Sequence, residues 1–493
     1  NALENAKNSD DIANAYIFAS VQKLDRNIKG LKEIYKHQPK SESLDFLLLR
    51  EINKLEDWIY TPYYANYSPS TELDLWEDKT VVSTNILRAR SEKDREYAKE
   101  LLRFVENVNT QKVNDPILWK ACKIQLLFMS KDYITCIKQI NEFLKKYPKE
   151  QVCIELEQIK ALCYLANQKY GEAIIPDIIK PIIEKNLVNK RFMFAAGREL
   201  EFLGNLADAV ALISNIDSDE EYDYGLVWQG NRLKSSKNLE YFTNTFSYLD
   251  YVYSAKELQK VVDKLDSTPG GPFEKILYAK VLKNKNYLKD LLGTKYIRED
   301  NLKLALATFN ALSKDYWNNN YNAWERDRYN DGYTFDQNPF FDFKYTENFI
   351  LQRDHFKVTK LSVTQYLTRY LNIANNPNSK DRDYYYFVVA NCYYNMSQYG
   401  NSWMMRRYNS TTNYYNQKSY IDETEYRKNN LAQKYYLKAY EQAKTPKFKA
   451  LCLRMSEYAI TGTRDFVKLK KEFPQYFEEL SNCYHLTKYF NAR

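Results

Sequence analysis

Carboxylates are the one chemically competent side-chain class that this sequence holds in number, with 64 Asp and Glu against only three His. Two of them flanking a glycosidic bond could act as acid and base, but no pair is singled out by spacing. His37, His355 and His485 are too few for a histidine-based triad or a multi-histidine metal site. The cysteines are odd in number: Cys122, Cys136, Cys153, Cys163, Cys392, Cys452 and Cys483. Most sit inside apolar helical patterns, where a thiol behaves as a small hydrophobe, so a disulfide framework is not expected. There is no C-x-x-C, and Cys483 with His485 forms an isolated C-x-H without the second pair that a tetrahedral zinc site needs. The phosphate-cradling G-x-x-x-x-G-K and G-x-G-x-x-G, the G-x-S-x-G elbow and H-E-x-x-H are all absent. The expectation is a protein without catalytic residues or cofactor. Asp327, Asn330, Asp331 and Gly332 approach the oxygen-rich pattern of a calcium loop. Tyr329 stands where an oxygen ligand belongs, however, and Asn338 falls at the place of the closing Glu. A plain Asn-Asp-Gly turn is the simpler reading.

Recognition is better supplied than catalysis. Residues 316–345 show neither helical nor strand period and are dense in aromatic, Asn and Asp residues. A loop of that length is uncommon without a function. Trp317, Trp324, Phe335, Phe340 and Phe341 could dock on the rest of the chain or form a partner-binding face. A second insert near 397–427 holds Trp403, Met404, Met405, Arg406, Arg407 and Tyr408, residue types enriched at protein interfaces. The competing reading packs them onto adjacent helices. Trp317, Trp324, Phe340, Phe341 and the six residues from 403 to 408 are the candidate partner-binding residues.

The elements that carry these inserts read as helices. Gly (12) and Pro (13) are too scarce in 493 residues for the turns of a sandwich or barrel. Tyr numbers 45, and Asn is about as frequent. The net charge of +8 is modest for the length, although 402–454 is locally basic and 217–223 acidic. No apolar run approaches the roughly 18 residues of a membrane-spanning helix. Helices are expected from Asp10 to His37, from Ser41 through the 44–60 stretch, and from Ser91 to Thr110. An irregular segment spans 61–84, and Asp115-Pro116 opens the next helix, where Pro gives up a donor that would be unpaired anyway.

From there a hairpin spacing recurs. Gly293, Tyr296, Leu302, Ala305 and Phe309 place a small residue, a bulky one, a turn residue, an alanine and a large apolar residue at the positions of two packed helices. Gly197, Leu200, Leu206, Ala209 and Ile213 match throughout, with Gly204 at the turn. Ile124, Leu127, Tyr133, Cys136 and Ile140 match except at the first place. Ala161, Tyr164, Tyr170 and Ala173 end on Asp177 where an apolar residue belongs. Tyr133, Tyr170 and Leu206 lie 37 and 36 residues apart, near the period of about 34 expected for such units. A glycine inside a helix costs about 1 kcal/mol relative to alanine, so Gly197 and Gly293 imply a close packing contact. In the last unit the step from Tyr393 to Ala432 is 39 residues, where Tyr296 to Ala305 is nine. About 30 residues are therefore inserted at that hairpin turn.

On these residues the chain resembles the tetratricopeptide-repeat family, in a degenerate form. The resemblance is good from Pro116 to Trp317 and loose elsewhere. It implies an all-α solenoid of antiparallel helical hairpins whose concave face holds a peptide or protein, here with two long irregular inserts. The expected organisation is an N-terminal helical region at 1–110, repeats at 111–315, the aromatic insert at 316–345 and C-terminal helical repeats at 346–493. The expected function is a non-enzymatic protein-binding scaffold within a larger assembly. An RNA-binding solenoid is the alternative, because helical repeats can read bases and aromatics can stack on them. A glycan-binding or glycan-processing protein is a distant third. Asn1 in place of Met leaves room for a processed precursor. The bacterial cell envelope, periplasmic or outer-membrane-associated, is slightly favoured over the cytoplasm, although seven free thiols suit a reducing compartment.

Overall fold

The structure is a computed structural model. It describes residues 3–65, 69, 84–217, 228–230, 240–242, 245–267, 270–319, 337–343, 346–408, 420–462 and 465–493. These residues are overwhelmingly helical, and one short antiparallel pair, Trp228–Gly230 with Glu240–Phe242, is the only sheet among them. The chain divides into two units: Asn1–Tyr253 with Lys260–Lys283, and Ser254–Gln259 with Asn284–Arg493.

In the first unit, helices Ile28–His37, Glu42–Tyr60, Thr84–Asn107 and Pro116–Met129 close a core around Leu31, Leu48, Leu55, Leu101, Trp119 and Met129. The single helix expected from Asp10 to His37 is two, Ser9–Gln22 and Ile28–His37. The break is held from outside: the Asn27 amide donates to Glu51 Oε1 at 2.9 Å and to the Tyr97 hydroxyl at 3.0 Å, bonds that a continuous helix would forbid. Pro116 does open a helix, and Asp115 accepts from the amides of Ile117 and Leu118, each at 3.0 Å.

Three of the expected hairpins form, with the same turn in each. Helix Pro116–Met129 turns into Tyr133–Lys146, Lys190–Phe202 into Leu206–Ser214, and, in the second unit, Lys285–Arg298 into Leu302–Asn310. Each turn places one residue in the left-handed region: Lys131 (φ 63°), Gly204 (φ 86°) and Asp300 (φ 55°). The next residue is Asp132, Asn205 or Asn301, whose side chain accepts from the third amide of the second helix. Its own amide donates back across the turn, to Leu127 O at 3.0 Å, Leu200 O at 2.9 Å and Tyr296 O at 2.8 Å. The last carbonyls of one helix and the first amides of the next are thereby satisfied within a few residues. The fourth expected hairpin does not form. After Cys153–Ala166 the chain runs through turns to a short Asp177–Ile179 segment and Lys180–Lys185. At the two turn positions this copy has Gln168 and Lys169, and a lysine offers no acceptor for a cap. Pro176 and Asp177 then fall where the second helix would need a donor and a core residue.

The implied close contacts are present. A Cβ on Gly293 would overlap Phe309 Cε1 and lie 2.6 Å from Cδ1 and 2.7 Å from Cζ, and Phe309 is itself buried against Trp317. Gly197 meets Ile213 in the same way. Gly293→Ala should therefore reverse the usual sign of a helical glycine replacement. The propensity gain of about 1 kcal/mol is outweighed by an overpacking cost of about 1–3 kcal/mol. A lowered urea midpoint, with partial recovery when Phe309→Leu is added, is the expected result.

In the second unit, Arg382–Asn395 packs on Asn430–Gln442 and that helix on Pro446–Thr461, around Tyr370, Phe387, Tyr436, Phe448 and Phe490. The long insert does sit at the turn of this hairpin. Tyr370, Tyr384, Tyr436 and Tyr489 are used here in the core. Tyr384 donates to Leu351 O at 2.8 Å, Tyr370 to Asp354 Oδ2 at 2.6 Å and Tyr489 to Glu479 Oε2 at 2.7 Å, which lets the rings be buried without stranding a hydroxyl.

Candidate functional site

The described residues of the aromatic inserts turn inward. Trp317, Phe340, Phe341, Trp403, Met404, Met405, Arg406 and Arg407 are all buried and Tyr408 is half-buried. In this conformation the chain itself covers the first eight of these and part of Tyr408. Trp324 and the calcium candidate Asp327, Asn330 and Asp331 lie outside the described residues.

The first insert docks by its backbone. Asn391 Nδ2 donates to Phe340 O at 3.0 Å, Asn395 Nδ2 to Pro339 O at 2.8 Å and Asp342 O at 2.9 Å, and Asn401 Nδ2 to Asp342 O at 3.0 Å. Buried amides thus supply the donors that an irregular segment needs. In the second insert, Arg406 and Arg407 share Asp422, at 2.9 and 2.8 Å. The Arg407 guanidinium also lies over Tyr420 and Tyr426, at 4.3 and 4.1 Å.

Both inserts meet at Asp290, which stands four residues before Thr294 on helix Lys285–Arg298. Its carboxylate accepts from Lys360 Nζ, the Tyr408 hydroxyl and the Tyr316 hydroxyl, each at 2.8 Å. Lys360 also donates to Thr294 Oγ1 at 2.6 Å and sits 4.4 Å from the Tyr408 ring centre. A Lys, an Asp and two Tyr could move protons. Lys360 is 0 % and Asp290 1 % exposed, however, so no substrate reaches them. Burial, and then the Asp290 charge, push the Tyr408 phenol well above its ordinary value, so it stays a donor.

A second ionisable cluster lies in the first unit. Glu199, on helix Lys190–Phe202, accepts from the Tyr64 hydroxyl at 2.8 Å and the Tyr63 hydroxyl at 3.5 Å, both on the π-helical turn Thr61–Ala65. Arg95 lies over the Tyr60 and Tyr63 rings and donates to Met129 O at 2.8 Å. Beside them Arg198 donates to Tyr64 O at 2.9 Å, Glu201 at 2.7 Å and the Tyr248 hydroxyl at 2.7 Å. Burial raises the Glu199 carboxyl to about 7 against the lowering effect of Tyr64 and Arg95. A carboxyl near neutrality is an acid–base candidate in an open cleft. Here it is sealed under two tyrosines.

An open feature lies elsewhere in that unit. A surface groove of about 400 Å³ is lined by Ile134, Ile137, Tyr164, Asn167, Gln168, Ile174 and Pro176. It lies where the fourth hairpin fails: the 167–176 loop runs where its second helix was expected. Gln168 fixes that loop, donating to Ile174 O at 2.9 Å and accepting from the Ile174 amide at 3.0 Å. Ile134 is 73 % and Ile174 61 % exposed, with Tyr170 and Ile178 also exposed nearby in sequence. Sequence reading missed this groove, although the mismatch at Asp177 was its signal. Among the described residues no group of three His, Cys, Asp or Glu could hold a metal ion, and no helix is long and apolar enough to cross a membrane. Comparison with protein-family models, curated proteins and solved structures finds no match.

Proposed function

We propose that the chain is a non-enzymatic scaffold of tetratricopeptide-like hairpins that binds a protein partner through the groove at Ile134 and Ile174, as a subunit of a larger assembly. The carrying observation is that groove. Exposed isoleucines from a helix and from a side-chain-locked loop flank one concavity, an arrangement that takes up apolar side chains of a partner. The recurrent hairpin turn supports the scaffold part of the reading, because identical turns stack helices in a fixed order. The clusters at Asp290 and Glu199 favour a structural role for the ionisable groups, since both carboxylates are buried and hydrogen-bonded.

The test compares partners recovered by the intact chain with those recovered by Ile134→Glu combined with Ile174→Glu. Both positions are exposed, so circular dichroism of the variant should match that of the parent. Recovery of at least one partner should fall about tenfold or more, as expected when a charge enters an apolar contact. Equal recovery of every partner would reject the groove as the binding site.

A further inference from the structure

No outside substrate reaches Lys360 and Asp290, but an amine and a carboxyl can be substrates for each other. Lys360 is the first residue of helix Lys360–Asn375 and Asp290 lies on helix Lys285–Arg298; both side chains are buried, with Nζ 2.8 Å from Oδ1. The carboxyl has a donor on each oxygen. Tyr316 donates to Oδ2 and Tyr408 to Oδ1, each at 2.8 Å, and the Tyr316 ring packs against Tyr287 and Trp317. Thr294 Oγ1 accepts from Nζ at 2.6 Å and lies 3.0 Å from the Tyr408 hydroxyl. Nζ, Thr294, Tyr408 and Oδ1 thus form a closed ring of hydrogen bonds. Buried ion pairs elsewhere differ. Those of Arg198, Arg406 and Arg407 use a guanidinium, which does not give up its proton, and Lys54–Glu51 lies within one helix, where the ammonium also holds Asp25 O rather than a hydroxyl.

We infer that Lys360 and Asp290 condense in the folded chain to an intramolecular isopeptide bond, for which the buried ion pair is the reactant state. A proton first passes from Nζ to Oδ1 along their hydrogen bond, leaving a neutral amine and a neutral acid. The Nζ lone pair then attacks Cγ, and the negative charge that develops on Oδ2 meets the Tyr316 hydroxyl. A second proton leaves Nζ for Thr294, whose own hydrogen passes to Tyr408 while that of Tyr408 passes to Oδ1. Oδ1 departs as water with both protons. One Nζ–Cγ bond forms, one Cγ–Oδ1 bond breaks, and Nζ keeps one hydrogen in an amide whose carbonyl oxygen is Oδ2. The step is redox-neutral. Burial drives it, because condensation removes two charges that are costly to keep out of water, and the fold already holds the reacting groups together. The bond joins two helices across 70 residues of sequence and so encloses the first insert. This chemistry uses the cluster alone and is independent of what the groove binds.

The test is to purify the folded chain, hold it at neutral pH until its intact mass is constant, then denature it, digest it and map the peptides by mass spectrometry. The expected mass is that of the sequence less one water, with a branched peptide that joins the segment containing Asp290 to the segment containing Lys360. Lys360→Arg keeps the positive charge but cannot condense, so it should give linear peptides at both positions. Wild-type chain at its full mass with both segments linear, or a loss of water located at any other site, would overturn the inference. The wild-type map decides this even if the variant does not fold.

Discussion

Asp290→Ala is expected to destabilise the second unit by about 3–5 kcal/mol, the magnitude typical of breaking a buried ion pair by removing one partner. The loss is not the strength of one bond. Lys360 would remain buried and charged with Thr294 and Tyr408 among its remaining partners, and the Tyr316 hydroxyl would lose the acceptor it uses at 2.8 Å. Because Tyr316 begins the first insert and Tyr408 lies in the second, the substitution should also loosen the docking of both. Faster hydrogen exchange at residues 403–408 and a lowered urea midpoint are the two readouts. Asp290→Leu with Lys360→Met removes both charges and should recover part of the lost stability, since an apolar pair of similar volume avoids the desolvation cost. If the single replacement changed stability by less than about 1 kcal/mol, the cluster would not hold the inserts.

How much of this was legible depends on how local the cause is. Gly293 and Gly197 announced their contacts because a glycine inside a helix has few reasons to be there, and both do lie against a large side chain of the second helix. The turn was legible too, though it went unread. Lys131-Asp132, Gly204-Asn205 and Asp300-Asn301 each combine a left-handed residue with a capping one, and Gln168-Lys169 lacks the cap. Matching core positions while ignoring the cap is what made the fourth hairpin look viable. Its first helix forms and its second does not.

The inserts were hidden for a different reason. Their aromatic composition suits an interface, and an intramolecular interface uses the same residues as an intermolecular one. What decides between them is the partner surface, here Asn391, Asn395, Asn401 and Asp290, which lie from 26 to 118 residues away in sequence from the groups they hold. No periodicity reports such pairing. The groove was obscured in the same way, because it exists through a helix that did not form.

Glu199→Gln should stabilise the first unit above neutrality and remove part of its pH dependence. The Glu199 carboxyl is raised from 4.5 to about 7, first by burial, so the folded chain binds its proton more tightly than the unfolded chain does. Stability from this group is then fully present below pH 4.5, declines as pH rises through that window and is lost above about 7, and a displacement of this size corresponds to about 3 kcal/mol. Tyr60, Tyr63, Tyr64 and Tyr133, which face the carboxyl, are all raised and stay neutral throughout the window. The positive side chains of Arg95 and Lys131 oppose the shift without cancelling it. Glutamine keeps an acceptor for the Tyr64 hydroxyl but carries no charge, so at pH 8 the variant should unfold at a higher urea concentration than the parent. Asp217 provides an internal control, since burial raises it from 3.8 to about 6 and gives it a slope of the same sign. Glu56 is also raised by burial. The variant should therefore keep a residual fall in stability up to about pH 6 and lose the portion between 6 and 7. Urea midpoints measured across pH 4 to 8 separate the two, and an unchanged slope between 6 and 7 in the variant would mean that a group other than Glu199 carries it.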